Sequence, residues 1–286
     1  MNRKGVVNLF KNEVAEFIYK RTYSRWIEKE NRREDWPETI ERFIGFITRE
    51  RPDIPEKTQN KIRKYMIEFA VMPSMRFLWA AGPAAKADNT TIYNCSFAKM
   101  NSVDAFAECL YILMHGTGVG FSVERQHVRK LPDVPEEIFD VEDTIVVTDS
   151  KEGWQSAFRK LVSYLYNGES PRWDTSRVRP KGSRLNTFGG RASGPEPLID
   201  LFMFTSQLFK EAVGRKLTSY ECHRLMAKVA EIVVVGGVRR SALISLSDLN
   251  DREMRFAKHG EWSKLNVQRA LANNSVNYKE KPDVGT

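Results

Sequence analysis

Apolar residues recur at spacings of three and four along the first seventy positions: Phe10, Val14, Phe17 and Ile18, then Ile40, Phe43, Ile44 and Ile47. That period marks helices with one buried stripe. Glu34, Asp35 and Glu38 beside Pro37 suit the start of the second helix. Residues 1 to about 70 are therefore expected to form a helical lobe, and 71–286 a second domain. There the pattern changes. A Pro73–Ser74 turn and a small-residue loop lead into Tyr93–Ala98, which alternates like a half-buried strand with Cys95 near its start. Val103–His115 reads as a helix, and Val119, Phe121 and Val123 as a strand entered through Gly116, Gly118 and Gly120. An acidic, proline-bearing connection runs from Leu131 to Ser150, followed by a helix over Trp154–Tyr166 and a strand over Asp174–Gly182. A glycine loop then hands over to a helix near Pro195 and Pro197. A further helix over Thr218–Val235 ends at Gly236 and Gly237, a natural cap. Strands are expected again up to Asp248 and from Ser275, with short helices over 251–271. Strands separated by helical segments predict an α/β fold with parallel pairing and helices outside.

Composition narrows the class. With 41% hydrophobic and 29% charged residues in 286, the chain has an ordinary globular balance. It lacks any run of about eighteen apolar residues, and MNRKGVVNLFKNE has no secretory core. A cytoplasmic protein without a membrane span is expected. Cys95, Cys109 and Cys222 are too few and too scattered for a disulfide framework or a zinc site, which agrees with a reducing compartment. The net charge of +8 favours anionic partners, nucleotides or nucleic acid, over a merely solvated basic surface only where charge meets a site-like segment. Arg172–Arg184 and Arg239–Arg240 are such places.

Candidate chemistry lies in three segments. The amide groups of the Pro73–Ser74 turn could hold an anion, with Arg76 adding charge. GTGVGFSV can admit a phosphate or sugar close to its backbone. The dinucleotide motif requires a strand before the glycines and a helix after them, the reverse of the order here, which excludes a Rossmann reading. Cys95 is open to two readings by residue type: a small inert core thiol, or a reactive one at a strand end. GGVRR is open to two as well, a cap followed by a basic turn or a loop that contacts a ligand.

The motifs taken together favour one family. YKRTYSRW (Tyr19–Trp26), MPSMRFLW (Met72–Trp79), NCSF (Asn94–Phe97) and GTGVGFSV (Gly116–Val123) resemble the catalytic subunit of ribonucleotide reductases. Within that family the resemblance is to the adenosylcobalamin-dependent class II enzymes of the monomeric type. FGGRASGPEPL (Phe188–Leu198), GGVRRSALISLSD (Gly236–Asp248) and ANNSV (Ala272–Val276) continue it in order along nearly the whole chain. The resemblance implies a helical lobe followed by the first five-stranded half of a ten-stranded α/β barrel, whose two halves run antiparallel around a finger loop. It implies reduction of ribonucleoside di- or triphosphates by thiyl-radical chemistry, with adenosylcobalamin as cofactor and a thioredoxin-like dithiol as reductant. Cys95 would be one of the reducing pair, and Ser74, Asn94 and Gly118 would line the substrate. Met72 stands where many relatives have threonine, which removes one phosphate contact. Gly236, Gly237, Val238, Arg239 and Arg240 match the specificity loop, and Asn101 and Arg129 align with positions that contact a deoxynucleotide or ATP effector. The Pro132–Ser150 connection is shorter than the insertion expected of the monomeric class.

The radical cysteine and the second reducing cysteine belong to an NPCGE-type segment and later strands, which do not occur before Thr286. The expectation is an N-terminal portion that acts with a complementary C-terminal polypeptide, from a split gene or a truncation. Two rivals stand beside it: a nucleotide-binding remnant without chemistry, and a basic nucleic-acid-binding protein whose affinity would fall steeply with salt.

Overall fold

A computed structural model describes residues 10–183, 191–235 and 242–283. The chain forms two compact units, Met1–Asn94 and Cys95–Thr286.

In the first unit, α1 (Glu13–Thr22) is capped by Asn12, whose side chain accepts from the Ala15 amide at 2.9 Å. The short strands β1 (Trp26–Ile27) and β2 (Arg32–Arg33) form a hairpin. A reciprocal capping box then starts α2 (Trp36–Glu50): Asp35 accepts from the Glu38 amide at 3.0 Å, and Glu38 accepts from the Asp35 amide at 2.8 Å. Next come α3 (Glu56–Ile67), α4 (Met75–Ala80) and α5 (Pro83–Ala87). The core of the unit contains Tyr19, Trp36, Ile40, Phe43, Leu78, Ala81 and Ala85, so it extends past the residue-70 boundary expected from periodicity. Val14, Phe17 and Ile18 face outward, contrary to the periodic reading. The reason is Tyr19, which takes the inward face of α1, stacks on Phe10 and shares a 2.7 Å hydrogen bond with the Thr39 hydroxyl.

The segment read as a loop after Ser74 is instead two short helices. Ser74 caps the first, its hydroxyl accepting from the Phe77 amide at 3.0 Å. The other end is tied down by arginines: Arg42 donates to the Leu78 and Ala81 carbonyls at 3.0 and 2.9 Å, and Arg25 to the Trp79 carbonyl at 2.7 Å. Buried Glu34 pairs with Arg42 at 2.7 Å and so compensates that charge.

The second unit holds a four-stranded parallel sheet in the order β3 (Cys95–Lys99), β4 (Gly118–Ser122), β7 (Leu243–Asp248), β8 (Ala272–Asn277). Helix α6 (Asp104–Met114) crosses from β3 to β4, and α10 (Ser219–Val235) precedes β7. The short α7 (Arg125–Val128) follows β4. Between α7 and α10 lie β5 (Phe139–Val146), α8 (Lys151–Tyr166), β6 (Glu169–Asp174) and α9 (Glu196–Glu211). Helices α6, α8, α9 and α10 pack against one another, with Phe106, Leu110, Phe158, Leu161, Phe202 and Leu225 in one core.

Parallel pairing with helices outside is as expected, but the described residues give four strands in the main sheet, not five. The strand expected over Asp174–Gly182 ends where it was to begin: the Asp174 carboxylate accepts from the Ser176 amide at 2.8 Å and turns the chain. Strand β6 pairs with β5, parallel and apart from the main sheet, and β5 lies inside the segment read as a connection. No helix among the described residues is long and apolar enough to cross a membrane.

Candidate active-site face

Strand alternation gives the main sheet two unlike faces. Ser96, Val119, Leu243 and Ala272 share one row, and Phe121 and Ser245 follow two residues on. Val119, Phe121, Leu243 and Ala272 are buried in the helix-covered core. The opposite face carries Cys95 and Gly118 in register, then Phe97, Gly120, Ile244 and Asn273. Phe97 is 55% exposed and Ile244 46%.

Cys95 is a free, exposed thiol at the first position of β3. Its neighbour in register, Gly118, has no side chain, and Gly120 repeats the gap two residues along. On this face, therefore, β4 sets no side chain beside Cys95 or Phe97. Ser96 points the other way and donates to the Gly118 carbonyl at 3.1 Å, fixing the register beside the thiol. Cys109 and Cys222 are buried on helices; burial pushes the Cys109 thiol up to about 12 and raises Cys222 as well, which leaves both inert.

The structure gathers some expected positions and separates others. Cys95 and Gly118 lie side by side, and Asn94, exposed, directly precedes Cys95. Ser74 belongs to the first unit, where its hydroxyl is engaged as the α4 cap. Arg76 is buried and donates to the Thr91 carbonyl at 2.8 Å, so it does not present its charge at the Pro73–Ser74 turn as expected. Asn101 lies just past β3, its amide donating to the Lys99 carbonyl at 2.9 Å. Arg129 is exposed just past α7 and lines a cavity of about 400 Å³ whose walls do not include Asn101. Gly236, Gly237, Val238, Arg239 and Arg240 lie outside the described residues.

One residue escaped the sequence reading. Glu124, buried just beyond β4, accepts from the Ser122 hydroxyl at 2.7 Å and from the Asn277 side-chain amide at 3.1 Å, reaching from β4 past the end of β7 to β8. Burial alone would raise its pKa; the bonds from Ser122 and Asn277 and the nearby His127 outweigh it and hold the carboxyl below the ordinary value. Its position directly after an apolar strand is a weak signal, since the same pattern marks many solvated strand ends.

The comparisons with known proteins agree with this geometry. Residues 3–83 match the profile of the ribonucleotide reductase alpha domain. Residues 128–209 match that of the B12-dependent ribonucleotide reductase insertion domain. The insertion therefore runs from α7 into α9, and the Pro132–Ser150 connection expected to stand short in its place is only its first part. An adenosylcobalamin-dependent ribonucleoside-triphosphate reductase of Lactobacillus helveticus is 28% identical over 92% of this chain and 45% of its own length. A putative one from Mycobacterium phage D29 is 30% identical over 81% of this chain and 39% of its own. The crystal structure of a B12-dependent class II ribonucleotide reductase superposes with a TM-score of 0.79 at 24% identity, over 91% of this chain and 45% of that one. The chain thus spans less than half the length of these relatives. It belongs to the ribonucleotide reductase family, matching the N-terminal part of the class II, B12-dependent catalytic subunit.

Proposed function

We propose that this chain is the N-terminal portion of a ribonucleotide reductase, and that its sheet is completed by a C-terminal polypeptide carrying the remaining strands and the radical cysteine. One observation carries the reading: a parallel sheet with helices on one face and an exposed thiol, two glycines and two exposed apolar side chains on the other. Parallel sheets are stable when both faces are covered, and a bare apolar face is a binding surface.

In this reading Cys95 is one of two reducing thiols. Each thiol gives one electron and one proton; their sulfurs join in a disulfide, the ribose 2′-hydroxyl leaves as water, and a hydrogen takes its place. A thioredoxin-like dithiol then restores the pair. The role of Gly118 is to keep the space beside Cys95 empty for the sugar, since any side chain there would stand over the thiol. Ser74 and Asn94 are assigned to the substrate, and Asn101, Arg129 and the Gly236–Arg240 loop to a deoxynucleotide or ATP effector, on the family motifs. We place the enzyme in the cytoplasm, where thiols stay reduced.

The names of the relatives and the insertion-domain match support adenosylcobalamin as cofactor of the complete enzyme. Among the described residues, the two cavities of about 400 and 420 Å³ have only Val128 and Leu217 as aliphatic wall residues, beside charged, hydroxyl and amide side chains, which is too little to cover a corrinoid face. The cofactor is assigned to the partner, and no step here runs through it.

The test is co-expression with the C-terminal portion of a class II relative, followed by assay of dithiol-dependent ribonucleotide reduction. A stable complex whose turnover disappears in Cys95→Ser is the expected result. Wild-type turnover in that variant would defeat the assignment of the thiol. Nucleotide binding without reduction by any complemented complex would favour the remnant.

A further inference from the structure

Among the described residues, the buried charges of the second unit are matched, with one exception. Glu124 is met by hydrogen-bond donors, Glu221 pairs with Arg215 at 2.7 Å, and Lys228 pairs with Glu231 at 2.6 Å and with Asp200. Arg269 is only 8% exposed, yet no described carboxylate pairs with it. Its guanidinium donates to the Ala257 carbonyl at 2.9 Å and lies 4.8 Å from the Tyr220 ring, while Nε has no partner. Lys258, the residue after Ala257, closes a reciprocal clasp by donating to the Ala272 carbonyl. Partly buried, it lies 5.7 Å from the Trp262 ring and likewise pairs with no described carboxylate. Carbonyl dipoles and ring faces offset only part of the cost of withdrawing two cations from water. Burial lowers the pKa of both, and Arg224 adds its repulsion at Arg269.

The rest of the chain does not supply the missing charge. Residues 1–9, 184–190, 236–241 and 284–286, which lie outside the described ones, contain no Asp or Glu. The place of the clasp points to the source. A 3-10 turn, Val267–Leu271, leads directly into β8, and Ala272 is the first residue of that strand. Strand β8 is an edge of the sheet, paired only with β7 among the described residues. Phe256 and Val267, each two residues before one of the cations, are 49% and 59% exposed. An open strand edge, exposed apolar side chains and unmatched charge together mark a surface that another chain covers.

We propose that a carboxylate side chain of the C-terminal polypeptide pairs with Lys258 and Arg269, making the entry to β8 a charge-keyed contact distinct from the bare sheet face. A free anion would meet one partly exposed ammonium in water. A carboxylate carried on a docking chain arrives with the apolar cover that excludes water, which strengthens the pair and fixes the partner's register. The identity of the partner rests on the proposed function, whereas the unmatched cations do not.

The experiment titrates the full chain with the C-terminal portion of a class II relative and follows association by sedimentation at low and at high salt. The variants are Lys258→Arg, Lys258→Gln and Lys258→Glu, with Lys57→Gln as an exposed lysine lost elsewhere; circular dichroism confirms that each is folded. Lys258→Gln should weaken association about ten-fold or more and Lys258→Glu further still, whereas Lys258→Arg stays within about two-fold of the wild type. High salt should shrink these losses, and Lys57→Gln should cause none. A lysine with a merely structural role would give equal losses for Gln and Glu. Such equality, or wild-type association in Lys258→Glu, would overturn the carboxylate contact and leave the complemented enzyme standing. If Lys258→Glu does not fold, Gln against Arg carries the comparison, and equal association of those two overturns the contact. Absence of any complex with the wild type would defeat the proposed function, and this contact with it.

Discussion

The two faces of the four-stranded sheet share a backbone and differ in everything attached to it. On one, Val119, Phe121, Leu243 and Ala272 are packed under α6 and α10; on the other, Phe97 and Ile244 stand in solvent beside glycines and a thiol. The packed face explains why the chain folds, and the bare face is the one to which the proposed function assigns substrate and partner. Phe121 and Phe97, on neighbouring strands, separate the two. Phe121→Ala should destabilise the isolated chain by about 3–5 kcal/mol, the cost of emptying a core aromatic site. Phe97→Ala should change it by less than about 0.5 kcal/mol, as for an ordinary surface substitution. Denaturant unfolding of both variants decides the matter, and a large loss from Phe97→Ala would mean that this face is already covered.

The packed face also carries a proton-sensitive group. His223 on α10 is buried, stacks near Phe121 at 6.1 Å, and has no hydrogen-bond partner for either ring nitrogen among the described residues. Burial, then the charges of Lys258 and Arg269, push it down to about 4. The unfolded chain, with an ordinary histidine, therefore binds more protons over the interval between, and stability rises with pH there. Stability is full above about 6.5 and is lost progressively as the pH falls toward 4, by up to roughly 3 kcal/mol. His223→Leu should remove that slope between pH 7 and 4. An unchanged slope would place the dependence on other groups.

How much of this could be read from sequence follows the range of the interactions. Helices α2, α6, α8 and α10 were legible because their apolar periods, and the caps of α2 and α8, are local, and the Cys95 strand because alternation and turn residues flank it. The helices after Ser74 were missed because Ser74 reads equally as a turn residue or a cap, and the arginines that fix the far end of α4 come from positions 25 and 42. The pairing of β5 with β6, apart from the main sheet, depends on long-range register that no local pattern encodes. On the candidate face, the family motifs pointed to Cys95 and Gly118, which the parallel register of β3 and β4 sets side by side. Glu124 was not, because its meaning lies in a contact with Asn277, distant in sequence.

The smallest effect on stability tests the comparison most finely. Among the described residues, a Cβ added at Gly120 would meet only the Ser96 carbonyl oxygen at 3.6 Å and the Phe97 ring at 3.7 Å, ordinary contacts, and no positive φ demands glycine there. Steric need within this chain therefore does not account for the residue. Gly120→Ala should leave the isolated chain as stable as the wild type or more so by about 0.5 kcal/mol, since glycine weakens strand interiors and leaves the unfolded chain freer. On the proposed function the same methyl would stand beside Cys95 and Gly118 on the face assigned to the partner. Assembly and turnover should fall while thermal unfolding of the lone chain does not. Loss of stability in the lone chain would show that the glycine serves this half's own fold, and the bare face would lose its claim to be an interface.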